Sequence, residues 1–329
     1  MGTYYGDHNK VSFAYESGAY GTISTSGQWV GLASANDIAE NENITQLRYL
    51  GTDTRNVDKF IAGARDVTGT LTYNPQDWKF LAFAMGSCVD SGSPSPYTHA
   101  ISECASNTSD VAFSGTVSSL KSFELEDSKY FNPTGLNFIR TVQGAMVNNF
   151  TISASQGDIV EASMDYLGQS VAFSSGARTA TTESTLRPFL WSDIVLHLPS
   201  GTTFTELKDF EFSVNNNLIG PHYMNGSKVI DVPQVGNREY ALNITLDATS
   251  AHAKTLYDQY FKGGSPFNGI INLGASAGSR DLLITMSGCE IIDMTIPSPL
   301  EGINDYTVSI VPETCNALVN DATEKYNEW

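Results

Sequence analysis

Lysine and arginine are scarce in this chain: 18 of 329 residues, against 36 aspartates and glutamates, for a formal net charge of −18. Gripping a nucleic-acid backbone requires cations that neutralise phosphates, so a protein that holds DNA or RNA tightly is excluded. One that lets nucleic acid slide past is not, because a like-charged wall prevents sticking; such charge also serves solubility alone. The five histidines, His8, His99, His197, His222 and His252, are scattered, without HExxH pairing or zinc-site spacing. GxGxxG and GxxxxGKS/T are missing, and with them the signals of dinucleotide binding and phosphate cradling. No run approaches the ~18 apolar residues of a membrane span. The start, MGTYYGDHNK, carries no apolar signal segment and no Ser or Thr at position six for myristoylation, so synthesis in a cytoplasm is expected. The expectation is a protein with no catalytic residue, no metal, no cofactor and no membrane partner.

What is present is a repeat. GARDVTGTLTYN (63–74) returns 173 positions later as GNREYALNITLD (236–247). Val67, Gly69, Leu71 and Tyr73 match Tyr240, Leu242, Ile244 and Leu246, a period of two that predicts half-buried strands. Each copy is followed by helical spacing. Trp78, Leu81, Ala82 and Met85 sit at i, i+3, i+4, i+7, with Asn74 as cap, Pro75 at the first helical position and Gly86 as stop. Ala253, Leu256, Tyr257 and Tyr260 repeat that spacing, with a Thr249 or Ser250 cap and Gly263 as stop. Both helices are expected to be short and amphipathic.

A third pair of segments, 144–166 and 288–310, aligns ungapped and predicts successive strands, with turns near Gln156-Gly157 and Glu301-Gly302. The first two offsets, 173 and 175, fall to 144 here, so the first half holds about 31 extra residues. The Ser-, Pro- and Gly-rich stretch near 88–115 accounts for them and is expected to be a surface excursion. Matches in one order point to tandem duplication: a first domain at 1–185, a second at 186–316 and a C-terminal tail at 317–329.

Cys88 and Cys104 bracket the excursion, and a disulfide there would close a small loop worth roughly 3 kcal/mol. Free thiols are the other reading, favoured in a reducing compartment. Asn43, Asn107, Asn149, Asn225 and Asn243 stand in Asn-x-Ser/Thr sequons and are candidate glycosylation sites.

FAYESGAYGTISTSGQW, the polar loop NENITQLRYLGTDTRNVDKFIAG, the strand-helix unit at 63–86 and the closing strands from Gly144 together resemble the major tail tube proteins of long-tailed double-stranded DNA viruses. The second half matches through FEFSVNNNL, VGNREYALNITLD, its helix and the strands from Gly288. The resemblance covers nearly the whole chain apart from the excursion and the residues after Thr314. It implies a mainly β fold: two tandem β-sandwich or rolled-sheet domains, each with one flanking helix, joining a ring-forming β-barrel. It further implies homotrimeric, pseudo-hexameric rings stacked into a hollow, non-contractile tail tube. Tape measure, terminator and tail-tip proteins would be the partners, and viral DNA would pass through the lumen without specific binding. Arg65, Asp66, Arg238 and Glu239 are then candidate inter-subunit ion pairs. Arg48, Asp53, Arg55 and Asp58, with Asn216, Asn217, His222 and Lys228, are candidates for ring stacking in loops 40–62 and 215–235.

A rival reading is a carbohydrate-binding or adhesin pair of β-sandwiches, with Trp29, Trp191 and Tyr223 stacking on sugars. A glycoside hydrolase using Glu124 and Glu126 is a third; paired carboxylates in an acidic β protein are far more often solvated surface.

Overall fold

A computed structural model describes residues 9–16, 20–22, 27–48, 56–57, 59–92, 95–104, 120–129, 137–176, 179–247, 254–276, 280–297, 305–323 and 325–326. The protein is mainly β. In chain order the first half contributes β1 Asn9–Tyr15, β2 Gln28–Trp29, β3 Leu32–Asn41, β4 Thr45–Leu47, β5 Lys59–Ile61, β6 Asp66–Asn74 and helix α1 Lys79–Met85. There follow β7 Gly86–Ser91, β8 Tyr97–Glu103, β9 Phe123–Lys129, β10 Phe138–Ser155, β11 Glu161–Gly168 and β12 Ser170–Ser174. The second half holds β13 Ile194–His197, β14 Thr203–Phe204, β15 Leu207–Asn215, β16 Glu239–Asp247 and a π-helix, Leu256–Phe261. It ends with β17 Phe267–Ser276, β18 Arg280–Thr295, β19 Asp305–Val311 and β20 Thr314–Asp321.

The repeat appears as one sheet. Antiparallel pairing runs β3-β6-β11-β10-β15-β16-β19-β18, four strands from each half, with β10 beside β15 at the junction. β6 and β16 are the duplicated strands, and their bounds differ by 173 at both ends. Irregularities repeat too. Ser34 bulges from β3 and Lys208 from β15, 174 apart; Asn148 bulges from β10 and Ile292 from β18, 144 apart. Alternate residues such as Leu71, Met164, Ile152, Phe212, Ile244 and Val308 are buried on one face, as the period of two requires.

β10 and β18 are long because each serves two layers. Gly144 (φ +65°) and Gly288 (φ +62°) sit where they bend, a left-handed conformation that favours glycine. Before its bend β10 pairs with β9 and β12, and β18 pairs with β17 and β20. These second-layer sheets cover the apolar face of the continuous sheet. One cluster of buried apolar residues runs through both halves.

α1 differs from the expected amphipathic helix. It begins at Lys79, after an N-cap at Trp78 rather than Asn74, and all seven of its residues are buried. Phe80 and Phe83 pack on Phe13, Tyr15 and Phe123 with ring centroids 4.8–6.1 Å apart. The helix is wrapped by sheets, so its expected polar face is covered as well: Phe80 and Phe83 lie on it, and buried Lys79 pairs with Asp77 at 3.1 Å. Gly86 (φ +91°) ends it as expected. Of the π-helix only Leu256 is buried, and its C-cap is Lys262 rather than Gly263. The Thr249/Ser250 cap and the Glu301-Gly302 turn lie outside the described residues; the turn at Gln156-Gly157 is present.

The expected surface excursion is instead partly sheet. β7 and β8 form a hairpin, and β8 pairs with β20 from Ile101↔Ala317 to Tyr97↔Asp321. Two first-half strands thereby extend the outer sheet of the second half. Cys88, His99 and Ile101 are buried at alternate positions, a period masked in the sequence by the surrounding Ser, Pro and Gly. The C-terminal segment is likewise integrated: residues 317–321 belong to β20, and Tyr326 is fully buried.

Candidate functional site: the polar face of the continuous sheet

The open face of the eight-stranded sheet carries the residues between the buried ones, and they line up in rows that cross both halves. One row runs Asp37, Thr70, Asp165, Asn149, Asn215, Glu239. Another runs Glu161, Ser153, Glu211, Asn243, Ser309, Asp293, and a third Ser155, Asp209, Thr245, Thr307, Thr295. No lysine or arginine stands in these rows. Within the rows Ser, Thr or Asn separate the acids, which avoids directly opposed like charges. Where Asp247 does face Asp305, Lys208 leans from its bulge and bonds Asp305. An open depression of about 540 Å³ crosses this face, lined among others by Ser153, Asp158, Glu161, Asp209, Glu211 and Asn243. It offers carboxylates and hydroxyls without a nucleophile-base pair. Chemically, such a surface repels a polyanion while remaining well hydrated.

Of these acids only Glu239 was singled out by sequence reasoning, as one of an ion pair, although the alternation that predicted the strands already marked the outward positions. Glu124 and Glu126 are not adjacent on that face: Glu124 is buried, and Glu126 accepts from the backbone and hydroxyl of Thr179. Gly274–Gly278 spells GxSxG, but it joins β17 to β18, strand to strand, whereas a nucleophile elbow joins a strand to a helix.

The paired Arg-acid dipeptides do not bond to each other. Arg65 pairs with Glu42 and lies 4.0 Å from Glu40. Asp66 accepts from His222 Nε2 at 2.9 Å and Asn43 Nδ2 at 2.7 Å, and the His222 hydrogen bond holds its carboxyl below the usual range. The Arg65 amide donates to the Lys228 carbonyl at 2.7 Å. These contacts tie the 215–235 loop to the first half. Arg238 donates to Asn216 Oδ1 at 2.8 Å and reaches Cys104 Sγ at 3.4 Å; Glu239 is exposed.

Asn216 corrects its expected stacking role. It is fully buried and donates to the Ala84 and Val147 carbonyls, each at 3.0 Å. Asn217 (φ +47°) and Asn43 (φ +44°) are equivalent left-handed turn residues; their side-chain amides donate to Asn237 O at 2.8 Å and Ala64 O at 3.1 Å. This explains the duplicated glycine: a Cβ on Gly63 would lie 2.6 Å from the Asn43 carbonyl oxygen, and one on Gly236 2.7 Å from that of Asn217. Arg48, His222 and Lys228 are on the surface, whereas Asp53, Arg55 and Asp58 lie outside the described residues, as does Asn107. Among the other sequons, Asn149 and Asn243 stand on the polar face, and Asn225 caps a turn through Ser227 N.

All four cysteines are thiols. Cys88 pairs with Ile101 across the hairpin, whereas Cys104 sits beyond its end, bonded to Met85 O through its amide, so the expected bridge does not form. Cys88, Asp90 and His99 have ligand-type atoms within 4.8 Å of one another. Their donors serve hydrogen bonds: Cys88 Sγ to Asp90, and His99 to Asp90 at 2.7 Å and Asp321 at 3.2 Å. Burial pushes the Cys88 thiol up, away from the thiolate a metal needs. His99 also stacks on Tyr326 at 3.8 Å, fastening the chain's end to the crossing hairpin.

A one-sided sheet shared by two repeats, acidic on its open face, suits a structural protein. The chain belongs to the phage tail tube protein family, whose model matches residues 6–309, and is thereby a structural protein of the virion tail. No curated protein matches it. No helix among the described residues is long and apolar enough to cross a membrane.

Proposed function

We propose that three copies of this chain close a pseudo-sixfold ring, that rings stack into the hollow tube of a non-contractile tail, and that the polar face of the continuous sheet lines its bore. Each copy supplies two tube domains, 1–185 and 186–316. The observation that carries this reading is the β10–β15 junction, where the sheet of one repeat runs directly into that of the next. Among the described residues no strand pairs with the outer edge of β3 or with the outer edge of β18 after its bend. Open edges of this kind are an aggregation liability that closure into a ring removes. A head-to-tail contact that closes by rotation gives such a ring.

The acid-and-hydroxyl rows would then present double-stranded DNA with a wall of its own sign, so that DNA slides through without adhering. Two surface segments would make the contacts between rings. The β4–β5 hairpin bears exposed Phe60 and Ile61 beside Arg48, and the 215–235 loop bears Ile219, Tyr223 and Met224 with His222 and Lys228. Tape measure, tail-tip and terminator proteins would set where stacking starts and stops.

Electron microscopy of the purified protein tests the reading. Rings of three chains with six similar lobes are expected, stacked into tubes. Compact monomers at high concentration, even with a tape measure or tail-tip partner added, would sink it and bring the carbohydrate-binding alternative forward.

A further inference from the structure

The junction inside the chain is a template for the junction between chains. β10 maps onto β18 with an offset of 144, and the equivalence includes the bulge and the partner register: Asn149↔Asp165 and Phe150↔Met164 become Asp293↔Ser309 and Met294↔Val308. β15 maps onto β3 with an offset of 174, bulge included. The turn that follows maps as well, since Gly236 N donates to Asn216 O at 3.1 Å and Gly63 N to Glu42 O at 3.2 Å. Within the chain β10 meets β15 as Asn149↔Asn215, Phe150↔Val214 and Thr151↔Ser213.

Applying both offsets, we propose that β18 of one copy pairs antiparallel with β3 of a second copy in the register Asp293↔Asn41, Met294↔Glu40, Thr295↔Ala39. The inference rests on the ring reading and adds to it the residues that meet.

Three features of the two edges fit this register. β3 is exposed along nearly all of its ten residues, whereas its equivalent β15 has Phe210, Phe212 and Val214 buried against the core and beside β10. A one-residue slip would set Asp293 against Glu40 and Met294 against Ala39, a residue of the polar face, so charge and side-chain period select the same alignment. The bulges differ in chemistry. Inside the chain the Asn148 carbonyl accepts from Asn216 N and its side-chain oxygen from Leu218 N, both at 2.7 Å. The equivalent bulge residue is Ile292, 63% exposed, and the offset of 174 carries Leu218 to Ile44, 57% exposed. Between copies the polar clasp becomes an apolar one: Ile292 covers Ile44 of the second copy. The same offset sets the Ile292 carbonyl against the Glu42 amide. This difference distinguishes the edge that leaves the chain from the one that stays within it.

Disulfide trapping in the full chain tests the register. Directly opposed residues have Cβ atoms about 4.5–5.5 Å apart and diagonal ones about 7–8 Å. Asp293→Cys with Asn41→Cys should cross-link copies under mild oxidation at least about tenfold faster than Asp293→Cys with Ala39→Cys. Each single variant should give no ladder of covalent dimers and trimers. Thr295→Cys with Ala39→Cys is a second in-register pair should the first fail to fold. Ile292→Asp, exposed in the isolated chain, should leave thermal unfolding of the monomer unchanged and raise the concentration needed for assembly at least about tenfold. Rings that form while the off-register pair cross-links faster, or while no pair does, would overturn the register and leave the ring reading standing. Unmodified protein that forms no ring would overturn both.

Discussion

The two helices of the repeat have the same apolar spacing and opposite fates. α1 is buried at every position, with Phe80 and Phe83 among the aromatics of the first half. The π-helix of the second half buries Leu256 alone and keeps Tyr257 and Tyr260 at the margin of the core. The difference lies in the surroundings. α1 packs against β7, β8 and β10, and the hairpin that follows it crosses to the second half, so layers close over it from several sides. The π-helix packs against β18. Helical spacing fixes which residues share a face; the number of faces covered is a tertiary outcome.

That contrast can be broken. Its largest test is deletion of residues 90–112, which removes β8 and exposes the edge of β20. An excursion on the surface would be dispensable, but this hairpin is not, and the yield of soluble chain is expected to fall at least about tenfold, since both His99 and Ile101 leave the core. Sedimentation of the soluble fraction reads the result, and deletion without loss would restore the excursion.

Next is a matched pair of truncations. Phe83→Ala should cost about 3–5 kcal/mol of unfolding free energy, whereas Tyr260→Ala in the marginal helix should cost about 1 kcal/mol. Equal losses in chemical denaturation would remove the asymmetry between the helices. At Gly63 and Gly236 the halves should agree instead. Alanine at either would press a Cβ against a backbone oxygen and cost about 1–3 kcal/mol each. A neutral result at one of them would break the equivalence of the turns.

The smallest effect concerns the latch that holds the crossing hairpin. Burial opposes a charged His99, but hydrogen bonds to Asp321 and Asp90 outweigh it and hold the imidazole above its ordinary value. A raised folded-state value means the latch contributes fully below the unfolded imidazole value of about 6.5 and is lost as pH rises through the folded one. Thermal unfolding of the native chain should therefore weaken between mildly acidic and mildly alkaline pH more than that of His99→Gln. Parallel pH profiles for the two proteins would dismiss the latch.

Several features were legible in the residues themselves. The period of two in GARDVTGTLTYN and GNREYALNITLD predicted β6 and β16, and Gly86 marked the end of α1. The repeat order predicted a mainly β chain, and the resemblance carried by those segments led to the family the chain belongs to. The rows of acids on the open sheet face were legible only as outward positions. Their alignment into rows depends on bulges at Ser34, Asn148, Lys208 and Ile292, which no local spacing announces.

By itself, then, the sequence determined that β6 and β16 are strands, which side of each meets a core, and that their pattern occurs twice, because those properties follow from side-chain period within one segment. The tertiary structure alone decided that β8 joins β20, that α1 is enclosed, that Tyr326 stacks on His99, and that the sheet of one repeat continues into the other. A strand's pattern specifies one apolar face and two hydrogen-bonding edges, and every edge offers the same backbone groups. Which edge it meets is settled by the geometry of the whole chain.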